Sequence, residues 1–135
     1  MKHSAIKRRV FYQTATGLTA VSLTAIGVAD LVRAPAVIEG IAHLGYPAYV
    51  ATILGMWKLL GVAAIVTPGH ARVKEWAYAG MFFVLTGAAL SHAVSGDSAT
   101  KVLVPLVVLG FVMTSWALRP AGEAYGTLSR VRQAV

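Results

Sequence analysis

The sequence predicts an all-α protein that crosses a membrane as a bundle of four helices, with a short outer interfacial helix between the first and second. Four apolar stretches cover residues 10–32, 48–67, 76–94 and 101–118, each close to the roughly 20 residues that span a hydrocarbon layer. Hydrophobic residues make up 57% of the chain and charged residues 13%, against roughly 25% charged in soluble domains. Nearly all of the charges lie between the stretches. The 135 residues therefore predict a single integral membrane domain.

The first span, residues 10–32, carries small and polar residues that recur at helical spacing. They are Gln13, Gly17, Ala20, Thr24 and Gly27. Because small residues let membrane helices approach closely, we expect this side of the helix to face the bundle. A signal peptide is the alternative, since residues 7–9 are basic, but this apolar stretch is longer than the roughly 7–15 residues of a signal core.

The gap between the first two spans predicts a short helix over residues 35–44. Pro35 suits the first turn of a helix, and the apolar residues that follow it share one face. Glu39 and His43 lie one turn apart on another face. We expect this helix to lie on the outer membrane surface until Gly45 and Pro47 turn the chain into the second span.

The remaining spans are joined by short turns. Pro68 and Gly69 end the second span, and such a pair is a strong turn signal. Few residues separate it from the third span, so these two spans form a tight antiparallel hairpin. Asp97 or Ser98 is placed to cap the fourth span.

The positive charges predict the orientation of the chain. Twelve Lys and Arg against five Asp and Glu give a net charge of +7. One side of the membrane receives Lys2, Lys7, Arg8, Arg9, Arg72, Lys74, Arg119, Arg130 and Arg132, and the other receives Arg33 and Lys101. Because Lys and Arg favour cytoplasmic loops, we expect both termini in the cytoplasm. In a membrane protein this surplus indicates anionic lipid, not nucleic acid.

The composition excludes several kinds of site. The chain has no cysteine, which excludes disulfides, thiol relays, iron–sulfur clusters and thiolate metal sites. It has no GxSxG elbow, P-loop or dinucleotide fingerprint. A metal held by Glu39, His43 and a second His is disfavoured because this spacing arises often by chance and no HExxH motif accompanies it. A haem held by His43 and His92 is disfavoured further, so no cofactor is predicted from these residues.

Lys58 is the charge that falls near the middle of a span. A central Lys costs about 2.5–3.5 kcal/mol on an insertion scale, and Gly55 and Gly61 place it on a crowded interior face. Three interpretations stay open: it supports the bundle through one buried pair or reaches the interface, it is the cation of a ligand pocket, or it faces lipid or another subunit.

Other polar residues are expected in the same half of the membrane as the side chain of Lys58. We predict one polar, ligand-binding cavity that opens outward and is formed by Asp30, Glu39, His43, Lys58, Ser91 and His92. The alternative is that Glu39 and His43 are simply hydrated at the membrane surface.

Several segments of the chain resemble the DoxX-like proteins, small bacterial membrane proteins of four helices. The similar segments are EGIAHLGYPAY at 39–49, KLLG at 58–61, KEWAYAG at 74–80, GA at 87–88, SH at 91–92, GD at 96–97 and RP at 119–120. The matching polar residues are Glu39, His43, Lys58, Glu75, Ser91 and His92, whereas Asp30 lies outside these segments. The resemblance implies a four-helix bundle in the bacterial inner membrane.

The resemblance also suggests a redox context. The family's namesake is a membrane subunit associated with thiosulfate:quinone oxidoreduction, and other relatives are linked to oxidative-stress complexes. The first functional hypothesis is therefore a binding or accessory subunit, for a small lipophilic or quinone-like ligand or a redox partner. The alternative is a membrane enzyme with Glu39 or His92 as acid/base and Lys58 as electrostatic stabiliser. A transporter subunit would need a homo-oligomer, because four helices are too few for an inverted repeat.

Overall fold

The structure, a computed structural model, describes residues 2–120, with side chains from Ala5 onward. Arg130 and Arg132, which entered the prediction of orientation, lie outside the described residues. Within the described part the chain forms five helices and no strands: α1 (Lys2–Leu31), α2 (Pro35–His43), α3 (Tyr49–Val66), α4 (Ala71–Val94) and α5 (Ala99–Leu118). The predicted all-α architecture, with a short helix between the first two long ones, is confirmed.

Two of the helix ends are followed by residues whose backbone leaves the right-handed helical conformation. Arg33 adopts a left-handed conformation at φ 52° between α1 and α2. Gly69, at φ 82°, provides the turn after α3 because a residue without Cβ adopts this conformation without strain. α1 and α4 begin at Lys2 and Ala71, earlier than the predicted residues 10 and 76, because hydropathy marks only the apolar part of a helix that continues into the polar layer.

The four long helices form an antiparallel ring. α1 packs between α3 and α5, and α4 packs against α5 and α3. The core is formed by Leu23, Ile65, Tyr78, Met81, Leu85, Val108 and Val112. The turn between α3 and α4 and the described end of α5 lie at one end of the bundle, which we call the terminal end. α2 and the turn between α4 and α5 lie at the other, which we call the loop end.

The predicted buried side of α1 is largely wrong. Gln13, Gly17 and Thr24 are exposed, and Gly27 alone of the five residues is buried. The buried side consists instead of Ala15, Thr19, Leu23, Gly27 and Asp30. Small residues occur on both sides of α1, so their spacing could not identify the side that carries Leu23 and Asp30 into the bundle.

The outer surface of the bundle is apolar. Trp57 and Phe83 are 65% and 70% exposed, and soluble monomers rarely expose large contiguous apolar surfaces. Within residues 2–120, four helices are long and apolar enough to cross a membrane: Ala5–Leu31, Tyr49–Val66, Ala71–Val94 and Ala99–Leu118. The chain is therefore a multi-pass membrane protein whose apolar surface is covered by lipid.

Candidate functional site

An ion pair joins α1 to the middle of α3. Lys58 Nζ donates to Asp30 Oδ2 over 2.5 Å, and the two side chains are 13% and 8% exposed. The pair lies beside a close approach of the two helices, where a Cβ built on Gly55 would be 2.7 Å from the backbone oxygen of Gly27. The glycines thus bring the backbones close enough for the charges to meet, and the carboxylate offsets the cost of placing an ammonium within the membrane.

A groove of about 320 Å³ runs between α3 and α4. Its floor includes the small residues Gly61, Ala77 and Gly80, and Trp57 and Trp76 are among the residues that line it. The remaining lining residues are Leu23, Leu54, Lys58, Leu60, Ala64, Val73, Met81, Val84 and Leu85. Lys58 is the one titratable residue among them. The groove extends from the middle of α3 towards the terminal end, whereas the predicted cavity opened towards the loop end.

A second polar cluster ties three elements together at the loop end. Asp97 accepts hydrogen bonds from His43 Nε2 at 3.1 Å, His92 Nδ1 at 2.8 Å and Lys101 Nζ at 2.9 Å. These donors belong to α2, α4 and α5. We call Asp97 and its three donors the Asp97 clasp. Next to it, the hydroxyl groups of Tyr46 and Ser91 lie 3.1 Å apart, so the chain on both sides of the end of α2 is attached to α4 or its turn.

The clasp is expected to persist in mild acid. The hydrogen bond from His92, and then that from Lys101, lower the pKa of the Asp97 carboxyl far below its usual range. A group with a depressed folded-state pKa stabilises the fold above its unfolded pKa of about 3.9, and this contribution is lost as the pH falls through the folded-state value. The difference in melting temperature between the wild type and Asp97→Asn should therefore shrink below about pH 4. A difference that grows on acidification from about pH 4 to about pH 2 would contradict the assigned role of this carboxylate.

The structure divides the residues of the predicted cavity into separate groups. It brings Asp30 together with Lys58, and His43 together with His92 through Asp97. Gly61 lies beside Met81, so Lys58 is level with about residue 84 of α4. At about 1.5 Å of rise per residue, His92 lies roughly 10–14 Å further towards the loop end.

Glu39 belongs to neither group. It is exposed on α2, and it makes no hydrogen bond or ion pair within the part of the chain that the structure describes. Glu39, His92 and Lys58 therefore have separate surroundings in the structure. A catalytic site that combines Glu39 or His92 with Lys58 remains a prediction from sequence. Among the described residues, no group of three or more His, Cys, Asp and Glu side chains could hold a metal ion.

Sequence reasoning missed two polar features. Asp97 or Ser98 was expected to cap the fourth span. Ser98 occupies the cap position, without a side-chain hydrogen bond, and the place of Asp97 at the centre of the clasp was not predicted. Its distances along the chain, five residues after His92 and four before Lys101, were the available signal.

The second feature is a polar network at the terminal end. Arg119 is buried, donates to Glu75 Oε1 over 2.6 Å and stacks on the Tyr78 ring at 4.9 Å. The Tyr78 hydroxyl in turn lies 2.8 Å from that of Ser115, which lies 2.7 Å from that of Thr16. Nothing in the spacing of these residues along the chain indicated that they meet. The network joins α1, α4 and α5 beneath the core.

Comparison with known proteins identifies a family. A family model described as the DoxX-like family matches residues 14–115, which is most of the chain and includes Asp30 and the greater part of α1. No curated protein and no solved structure matches the chain significantly.

Proposed function

This chain belongs to the DoxX-like family, and on that premise we propose that it is a membrane binding module that holds a small lipophilic molecule in the groove between α3 and α4. The observation that carries the proposal is the groove itself, about 320 Å³ with one charged residue in its lining. Ligand sites are commonly apolar clefts with a few polar groups that fix the orientation of the ligand. The module would act as an accessory subunit, with membrane redox processes as its context.

Access to the groove supports a ligand that dissolves in the bilayer. Trp57 and Trp76 line the groove and are 65% and 76% exposed, so the groove opens sideways towards lipid. A lipophilic molecule would enter from the hydrocarbon layer without crossing the polar ends of the bundle. Small residues along the groove leave room for a chain or ring between the two helices.

The positions of the cations support a proposal for the orientation of the protein. Lys7, Arg8, Arg9 and Arg72 lie towards the terminal end, and Arg33 and Lys101 lie at the loop end. By the positive-inside rule, we propose that the terminal end faces the cytoplasm of a bacterial inner membrane. The groove would then open within the cytoplasmic half of the bilayer.

Filling the groove should weaken binding. A Cβ on Gly80 meets no atom within 4 Å, so Gly80→Leu places its side chain in the groove without a backbone clash. We expect this variant to weaken binding of a decyl-substituted benzoquinone by about tenfold, equivalent to about 1.4 kcal/mol. The measurement is the saturable quenching of tryptophan fluorescence in lipid nanodiscs, since Trp57 and Trp76 line the groove.

Gly87→Leu is the matched control. Gly87 lies on the same helix, its Cβ would also meet nothing within 4 Å, and it does not line the groove. This variant should bind the quinone as the wild type does. Equal affinity of the two variants, or no saturable quenching in the wild type, would refute the groove as the binding site.

A further inference from the structure

We propose that the occupant of the groove is electrically neutral and carries a hydrogen-bond-accepting oxygen, such as a carbonyl, at the end that meets Lys58. This inference rests on the proposed function and specifies the chemical class of the ligand. Three observations support it: the charge balance of the Asp30–Lys58 pair, the hydrogen-bonding capacity that Lys58 leaves unused, and the depth at which the groove meets Lys58.

The charge balance argues against an ionic head group. Lys58 and Asp30 neutralise each other at 2.5 Å, and among the residues that line the groove Lys58 alone is titratable. A carboxylate placed here would have to share one ammonium with Asp30, and a cationic head would have to share one carboxylate with Lys58. Either arrangement leaves an excess charge in a site largely removed from water, which is costly.

The unused hydrogen-bonding capacity indicates an acceptor. An ammonium group has three N–H donors, and Lys58 uses one of them, towards Asp30 Oδ2. The other two have no acceptor within the described residues. Asp30 Oδ1 likewise accepts no hydrogen bond from the described residues, and this oxygen is not fully buried. A carbonyl oxygen in the groove could therefore accept from Lys58.

The depth of the site gives an independent argument. Lys58 lies near the middle of the 18-residue helix α3, so a ligand head in contact with it lies near the centre of the bilayer. Moving an unpaired charge to this depth is unfavourable, whereas a neutral head with one polar oxygen reaches it at a much smaller cost. Both the pair and the membrane thus select against charged amphiphiles.

Competition among ligands of equal chain length tests this inference. The decyl-substituted benzoquinone bound to the wild type in nanodiscs is displaced with dodecane, 2-dodecanone, dodecanoate or dodecyltrimethylammonium, each at a known mole fraction in the membrane. We expect the ketone to compete about tenfold better than the alkane, as a hydrogen bond from a charged donor would give, and better than both ionic compounds. Dodecanoate equal to or stronger than the ketone would overturn the inference.

A double variant separates this inference from the proposed function. Asp30→Leu combined with Lys58→Met removes both charges and keeps approximately the shapes of the side chains. It should still bind the alkane in the groove but lose the tenfold preference for the ketone. If the ketone preference persists in the double variant, the ion pair is not the determinant. If no compound binds even to the wild type, the groove is not a ligand-binding site and the proposed function is refuted.

Discussion

Lys58→Met should lower the free energy of unfolding by about 3–5 kcal/mol, because removal of one partner of a buried ion pair leaves the other charge uncompensated. Asp30 is 8% exposed and bonds to Lys58, so it would remain as a buried carboxylate next to the apolar core. The loss is measured by unfolding the purified protein in mixed micelles with increasing denaturing detergent, with helix content as the signal.

The double variant Asp30→Leu with Lys58→Met is the control. Because both charges disappear together, it should recover most of the stability lost in Lys58→Met, as replacement of whole buried pairs often does. A double variant as unstable as the single one would mean that Lys58 stabilises the protein through contacts other than Asp30. An unaffected single variant would mean that the Asp30 carboxylate is hydrated in the folded protein and does not need Lys58.

Gly55→Ala should destabilise the bundle by about 1–3 kcal/mol through overpacking. The added Cβ would lie 2.7 Å from the backbone oxygen of Gly27 and 2.9 Å from Asp30 Cβ, and neither atom belongs to the flexible end of a side chain. α1 and α3 would therefore have to separate, which would also lengthen the bond between Asp30 and Lys58. The same detergent titration measures the effect.

Gly110→Ala is the comparison for this variant. Gly110 lies inside α5, and a Cβ there would meet no atom within 4 Å. Since alanine favours helix over glycine by roughly 1 kcal/mol, this variant should be neutral or more stable than the wild type. If Gly55→Ala behaves in the same way, the close approach of α1 and α3 is not a feature of the folded protein.

The helices could be predicted from sequence because each depends on local information. Four apolar stretches of the length of a bilayer indicated the spans, and Pro35 indicated the start of α2. The helix ends were less predictable, since the apolar pattern stops before the hydrogen-bonded backbone does. Packing sides were predicted poorly for α1, because small residues occur all around it.

The site was only partly predictable, for a different reason. That Lys58 needs a partner follows from its position within a span, but the identity of the partner depends on the relative heights of two helices. Asp30 lies in the last turn of α1, and this turn packs beside the middle of α3. The heights of helices in a bundle are set by packing, so spacing in the sequence did not separate Asp30 from Glu39 or His92 as partners.

The location of the pair on α1 and α3 bears on how the chain is inserted during synthesis. Asp30 belongs to the helix made first, and Lys58 to the helix that follows it across the short α2. When α3 leaves the ribosome, the carboxylate that neutralises its lysine is already in the membrane. Insertion of α3 alone would carry the free-energy cost of an unpaired ammonium. Because α1 precedes α3 along the chain, Asp30 is available to lower that cost when α3 enters the membrane.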